Sequence, residues 1–257
     1  MRNRLGGSSE QARSLGELQL SEYVAQHDED SILEQQIRLF GPECYERRYE
    51  YPLIVWLHSC HSSEQELECV MPELSLRNYV SCAPRGTSAC DDEGKYYRWA
   101  QSAASSAIAE EIVFESIAIA QKAFSIASDR VFLAGFGGGG TMAWRIALRY
   151  PQRFAGVISI CGDFPHRNQP LMNLQAARSL PTLWMYGEDS ATCGVQEVCD
   201  SMAVLHAASL KADVRQYPCG DDLLTNMLVD TNAWLMEQVT KQPANSDQPA
   251  AESFSQN

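Results

Sequence analysis

The sequence predicts an α/β fold, a doubly wound and mostly parallel sheet in a single domain. Three observations predict it. Short runs rich in β-branched and aromatic residues recur along 257 residues. Between them lie longer stretches whose apolar residues repeat at helical spacing, and such alternation implies parallel strands joined by crossover helices. Finally, the run Arg130 to Ala134 enters Gly135-Phe136-Gly137-Gly138-Gly139-Gly140 and passes straight into a helical stretch from Thr141, which makes a sharp strand-to-helix corner.

The strands are expected at Pro52 to Leu57, Tyr79 to Ala83, Val131 to Gly135, Ala155 to Cys161, Thr182 to Tyr186 and Asp213 to Tyr217. Ile112, Val113, Ile117, Ala120 and Phe124 share one face of a helix, as do Val195, Val198, Cys199, Met202 and Leu205. A last helix is expected over Leu223 to Val239, opening from an Asp222 cap. Residues 1–30 read as a polar N-terminal extension, 31–240 as the folded domain, and 241–257 as a disordered tail carrying Pro243 and Pro249. A chain of this length buries one sizeable core.

Charge narrows the function. The 33 acidic residues against 20 basic ones give a formal charge of −13. Phosphate backbones and anionic lipid surfaces are repelled by such a field, so neither nucleic acid nor membrane is expected as a partner. Apolar runs such as Pro52 to Leu57 are far shorter than a bilayer span, and MRNRLGGSSEQARS carries no apolar signal core, so a cytoplasmic location is expected. The nine cysteines are odd in number and form no C-x-x-C pair. Reduced thiols are expected, with no metal site and no cofactor.

The segment Arg130-Val-Phe-Leu-Ala-Gly-Phe-Gly-Gly-Gly-Gly-Thr-Met-Ala-Trp-Arg-Ile-Ala-Leu-Arg-Tyr-Pro151 resembles the phospholipase/carboxylesterase branch of the α/β-hydrolase superfamily. Members read R-V/I-x-L-A-G-F-S-Q-G-G-x-M-A there, with a helix ending in Y-P. Pro52 to His61 is similar to the family's oxyanion strand and loop, Ala83-Pro84-Arg85-Gly86 to its second turn, and Pro181 to Trp234 to its acid and histidine segments. The resemblance implies an α/β-hydrolase fold and carboxylic-ester chemistry.

That chemistry needs a serine that attacks, an imidazole that takes and returns its proton, and a carboxylate that orients the imidazole. By the resemblance, the nucleophile position at the G-x-S-x-G elbow is Gly137, which has no group to attack with. The acid position falls on Ser190, or on Asp189 with a one-residue shift. The histidine position, after Tyr217-Pro218-Cys219-Gly220, is Asp221, and no histidine lies beyond His206.

The oxyanion loop reads His58-Ser59-Cys60-His61 where family members carry glycines. The Gly138 N–H still opens a helix and is a candidate for binding an anion or carbonyl. Ser59, Cys60, Gly138 and Trp99 are therefore the candidate pocket residues. For Trp99 two readings stand, an aromatic pocket wall or a buried loop anchor. Arg145 and Arg149 read as a solvated helix face, Thr141 as a helix-start cap, and Asp221-Asp222 as a turn followed by a cap. Glycine at 137 has a structural explanation too, since it tolerates the strained elbow conformation.

Two functions follow. The first is a pseudoenzyme that binds a small acyl or ester-like ligand, or a protein, without serine-triad catalysis. The alternative is an active carboxylic-ester or thioester hydrolase using a displaced nucleophile, Cys60 or Ser59.

Overall fold

A computed structural model describes residues 36–166 and 171–241. The expected tails lie outside the described residues, except for Lys241, which ends the last helix. The sheet has seven strands: β1 (Ile37–Phe40), β2 (Tyr51–Leu57), β3 (Val80–Pro84), β6 (Ile126–Phe136), β7 (Gly156–Ile160), β8 (Thr182–Gly187) and β9 (Asp213–Tyr217). A small hairpin of β4 (Ser88–Ala89) and β5 (Tyr97–Arg98) stands apart. The helices are α1 (Leu67–Leu74), α2 (Ala103–Ala123), α3 (Gly138–Arg149), α4 (Val195–Ala207) and α5 (Thr225–Lys241), with a single helical turn at Leu174–Ala177.

Strand order is β1-β3-β2-β6-β7-β8-β9, and every pairing except β1 with β3 is parallel. Parallel strands covered on both faces read as continuous apolar runs, and β2, YPLIVWL, is buried at all seven positions. Its side chains still alternate. Leu53, Val55 and Leu57 join Leu133, Val157 and Trp184 beneath α2, α3 and α4, in a layer with Val113, Met142, Ile146 and Val198. Ile54 and Trp56 join Phe132, Ile158 and Met185 beneath α1 and α5, with Met71, Met227 and Trp234. Two cores on opposite faces of one sheet make the doubly wound arrangement.

The six expected strands are all present. The edge strand β1 and the β4–β5 hairpin were not legible, because two- to four-residue pieces carry no detectable period. The last helix begins at Thr225 rather than at an Asp222 cap; the Leu224 carbonyl accepts from Met227 and Leu228 N–H instead. On α4 the inward face is Val198, Ser201 and Leu205, while Val195 and Cys199 are exposed.

Both sheet edges are short and charged. Arg38 on β1 pairs with Glu68. On β9, Asp213 accepts from the Trp234 indole at 2.8 Å and Arg215 pairs with Asp230 at 3.5 Å. Among the described residues no helix is long and apolar enough to cross a membrane.

Candidate functional site

The corner between β6 and α3 sits at the carboxyl end of a central strand. Gly137 has φ 55° and ψ −123°, a left-handed conformation that L side chains adopt only under strain. Its N–H donates to the Ile160 carbonyl at 2.8 Å and its carbonyl accepts from Thr141 N–H at 3.1 Å, so the corner is pinned on both sides. A Cβ built on Gly137 meets nothing within 4 Å. The turn therefore holds its apex residue up into open space, and the apex carries only backbone.

The corner can be this tight because α3 lies directly on β2. A Cβ on Gly139 would come within 2.1 Å of the Leu57 carbonyl oxygen and 2.5 Å of that of His58. Only a glycine permits that approach.

Beside the corner, the loop after β2 is held by its own polar groups. His58 is fully buried; its Nε2 accepts from Gly86 N–H at 2.9 Å, which assigns the proton to Nδ1, 2.7 Å from the Ser59 carbonyl. Burial pulls the His58 pKa below its ordinary value, against the opposing pull of the Ser59 carbonyl and of Glu66 and Glu64. A histidine neutral in the folded state contributes fully above its unfolded pKa, and that contribution is lost progressively as pH falls from about 6.5 through the lower pKa of the folded state. Denaturant titrations between pH 8 and pH 5 are expected to show stability falling by at most about 1.4 kcal/mol per pH unit from this group, and His58→Gln is expected to flatten that slope.

Neighbouring ion pairs fix the same region. Arg85 donates from Nε to Glu64 at 2.9 Å and from Nη2 at 2.5 Å, and stacks its guanidinium 4.8 Å from the Tyr97 ring. Burial alone would raise the Glu64 carboxyl; the Arg85 hydrogen bonds and charge bring it below the usual carboxylate range.

The candidate pocket residues fall in different places. The Ser59 hydroxyl donates to Glu66 Oε2 at 2.6 Å and its N–H also points at that carboxylate, so Ser59 ties the loop to Glu66. Trp99 is 2% exposed and donates its indole N–H to the His58 carbonyl at 3.1 Å. Of its two readings the buried anchor is the correct one. Cys60 is exposed, and its Sγ lies 2.8 Å from where a Cβ on Gly138 would stand, directly against the first turn of α3. The Gly138 carbonyl accepts from Gln101 Nε2 at 3.3 Å.

Ser190 and Asp221, distant in sequence, are in contact. Ser190 Oγ donates to Asp221 Oδ1, which also accepts from Thr192 Oγ1 at 2.7 Å, while Oδ2 takes the Ala191 N–H at 3.2 Å. Partial burial pushes the Asp221 carboxyl up, but these donors hold it below its ordinary value. Asp189 donates its N–H to the Cys219 carbonyl at 2.9 Å. Asp221 thus accepts hydrogen bonds as a carboxylate and offers no basic nitrogen.

The structure also contains a cavity of about 520 Å³ next to the corner, between α3, the loop after β7 and the start of α4. Thr141 and Arg145 line it from α3, Asp163 and His166 from the loop, and Glu197 and Ser201 from α4. His166 Nε2 and Ser201 Oγ are 3.0 Å apart. Arg145 is 6% exposed, which corrects its reading as a solvated face. Its spacing from Gly137 and Thr141, eight and four residues, places all three on one face of the helix, and that was the available sequence signal. Among the described residues no cluster of His, Cys, Asp or Glu is arranged to hold a metal.

Residues 98–236 match the sequence profile described as Phospholipase/Carboxylesterase. The chain belongs to the phospholipase/carboxylesterase family. Solved structures similar to this family member include the Bacillus cereus carboxylesterase, 14% identical, with a TM-score of 0.64 over 84% of this chain and 98% of that one. The Arabidopsis thaliana protein SOBER1 is 17% identical, with a TM-score of 0.59 over 74% of this chain and 99% of that one. At these identities the likeness shows an α/β-hydrolase fold. A 60-residue stretch is 38% identical to the "Putative esterase NocK" of Nocardia uniformis subsp. tsuyamanensis, covering 23% of this family member and only 17% of that protein.

Proposed function

We propose that this phospholipase/carboxylesterase-family protein binds a small acyl or ester-like ligand without turning it over by a serine triad. One observation carries the reading: the elbow conformation is kept at Gly137, with clear space above it, and no reactive atom stands there. In this reading Gly137 occupies the nucleophile position, Ser190 the acid position and Asp221 the histidine position. The Ser190–Asp221 contact is where an acid would hold its imidazole, and it now joins a hydroxyl to a carboxylate. The cavity beside the elbow is the space for a ligand, and its size suits a small molecule. The formal charge of −13 argues against nucleic acid and anionic membranes as partners, and nine free thiols fit a cytoplasmic protein.

The test is incubation with a fluorophosphonate probe and a panel of nitrophenyl acyl esters. No adduct and no turnover above a heat-killed control are expected; labelling of any side chain, or catalysis, overturns the reading. One observation favours a second reading, that of an active hydrolase with Cys60 as nucleophile: its thiol is exposed and lies against Gly138. That reading requires an esterase activity that Cys60→Ala abolishes.

A further inference from the structure

Two carboxylates line the 520 Å³ cavity beside the elbow, Asp163 from the loop after β7 and Glu197 from the first turn of α4. Among the described residues neither makes an ion pair. They are close enough to oppose one another. Burial first, then the charges of Glu197 and Asp221, push the Asp163 carboxyl above its ordinary value, against the opposing effects of a Cys193 hydrogen bond and of His166. Cys193 lines the same cavity as a neutral thiol, its pKa pushed up to about 12 by burial and by the charge of Asp163. The guanidinium in the lining is already engaged: Arg145 donates from Nε to Gln101 Oε1 at 3.3 Å, and the charge of Glu110 supports its protonated form against burial. His166 is tied to Ser201, with Nε2 and Oγ 3.0 Å apart. Phe164 and Trp184 add aromatic wall, each fixed by an edge-on contact with the Trp144 ring at 5.4 and 6.0 Å.

From this arrangement we infer that the cavity takes an organic ammonium ion, its cationic group held by Asp163 and Glu197 beside the Phe164 and Trp184 rings. The inference rests on the reading that the protein holds a small acyl or ester-like ligand it does not cleave, and it adds the charge of that ligand. Two like charges in a partly desolvated space repel, and a cation placed with them replaces that repulsion by two attractions. A neutral ligand leaves the repulsion in place. An anionic one adds to it, and the nearby guanidinium is already occupied with Gln101. Aromatic wall favours an alkylammonium, whose hydration shell is loose, over a hydrated metal ion. Among the described residues no side-chain cluster is arranged to hold a metal. The formal charge of −13 draws cations toward the whole molecule. Thr141, whose N–H donates to the Gly137 carbonyl at 3.1 Å, also lines the cavity, so one ligand can lay an ester group at the elbow and its ammonium in the cavity.

The experiment is calorimetry on the full chain with matched probes: acetylcholine against its uncharged carbon isostere dimethylbutyl acetate, butylammonium against butanol, and benzylammonium against benzyl alcohol. At physiological salt, at least one cation is expected to bind about tenfold or more tightly than its neutral partner. Asp163 and Glu197 are exposed side chains, so Asp163→Asn and Glu197→Gln are expected to fold. Each is expected to shrink the preference for the cation, and the double variant to abolish it. Glu111→Gln removes the same charge from an exposed position on α2 and is expected to leave the preference intact. Absence of binding by every cation, equal binding of the neutral partners, or an equal loss with Glu111→Gln overturns the inference. Hydrolysis of acetylcholine would instead overturn the non-catalytic reading, and an intact preference for the other two cations would leave the ammonium assignment standing.

Discussion

Gly137→Ser, Ser190→Asp and Asp221→His, introduced together, are expected to give measurable nitrophenyl acetate hydrolysis and a fluorophosphonate adduct on the introduced serine. Gly137→Ser alone is expected to give neither. A Cβ at position 137 meets nothing within 4 Å, so a hydroxymethyl group fits. Its cost is the left-handed φ of 55°, about 1–3 kcal/mol of backbone strain. Positions 190 and 221 already touch, which puts an acid beside an imidazole. Asp221 lies close enough to shift the charge balance of Cys161 and Asp163, the residues flanking Gly162, and Gly162 abuts the Gly137 carbonyl. In the proposed function the three positions share one cleft.

An intact triad supplies roughly 10⁶ in kcat, and an untuned one is expected to recover at least about 10² over the parent. Adding Cys60→Gly is expected to raise it further, since that thiol rests on Gly138, whose N–H is the oxyanion donor in the function proposed above. A triple variant with the parent's cooperative melting but no adduct would show that these are not the family's triad positions.

Gly139→Ala is expected to cost at least about 3 kcal/mol, the range of severe backbone and overpacking defects. The new methyl would sit 2.1 Å from the Leu57 carbonyl oxygen, so α3 and the end of β2 must separate. For a domain of this size that is a fall in Tm of roughly 6–12 °C. Gly137→Ala is the internal control. It clashes with nothing and pays only for its φ, so it should lose about 1–2 kcal/mol. Equal losses at the two positions would mean that helix and strand are not in the contact described.

Much of this was readable from the amino acids alone. The central strands announced themselves by apolar runs such as YPLIVWL, and the elbow by its glycines following Arg130 to Ala134. The pairing of Ser190 with Asp221 was not readable as a contact, since thirty-one residues separate them and only the adjacency of β8 and β9 brings them together. Arg145 was misread because charge in a helix suggests solvent; its Nε instead reaches Gln101 Oε1, forty-four residues away, a contact that no periodicity encodes. Trp99 was ambiguous for a similar reason. Its indole is claimed by a main-chain carbonyl forty-one residues away.

The rims of the sheet bear on how this protein behaves when concentrated. An uncovered strand is a template on which a second molecule can lay its own backbone, and long apolar edges invite fibres. Here one rim is four residues long and the other five, and both hold salt-bridged or hydrogen-bonded charges, Arg38 on one and Asp213 and Arg215 on the other. An incoming strand would have to break those bonds and strip water from ionic groups before it gained a single ladder hydrogen bond. The sheet is therefore self-limiting, and crowding this protein should not drive it into strand-swapped polymers.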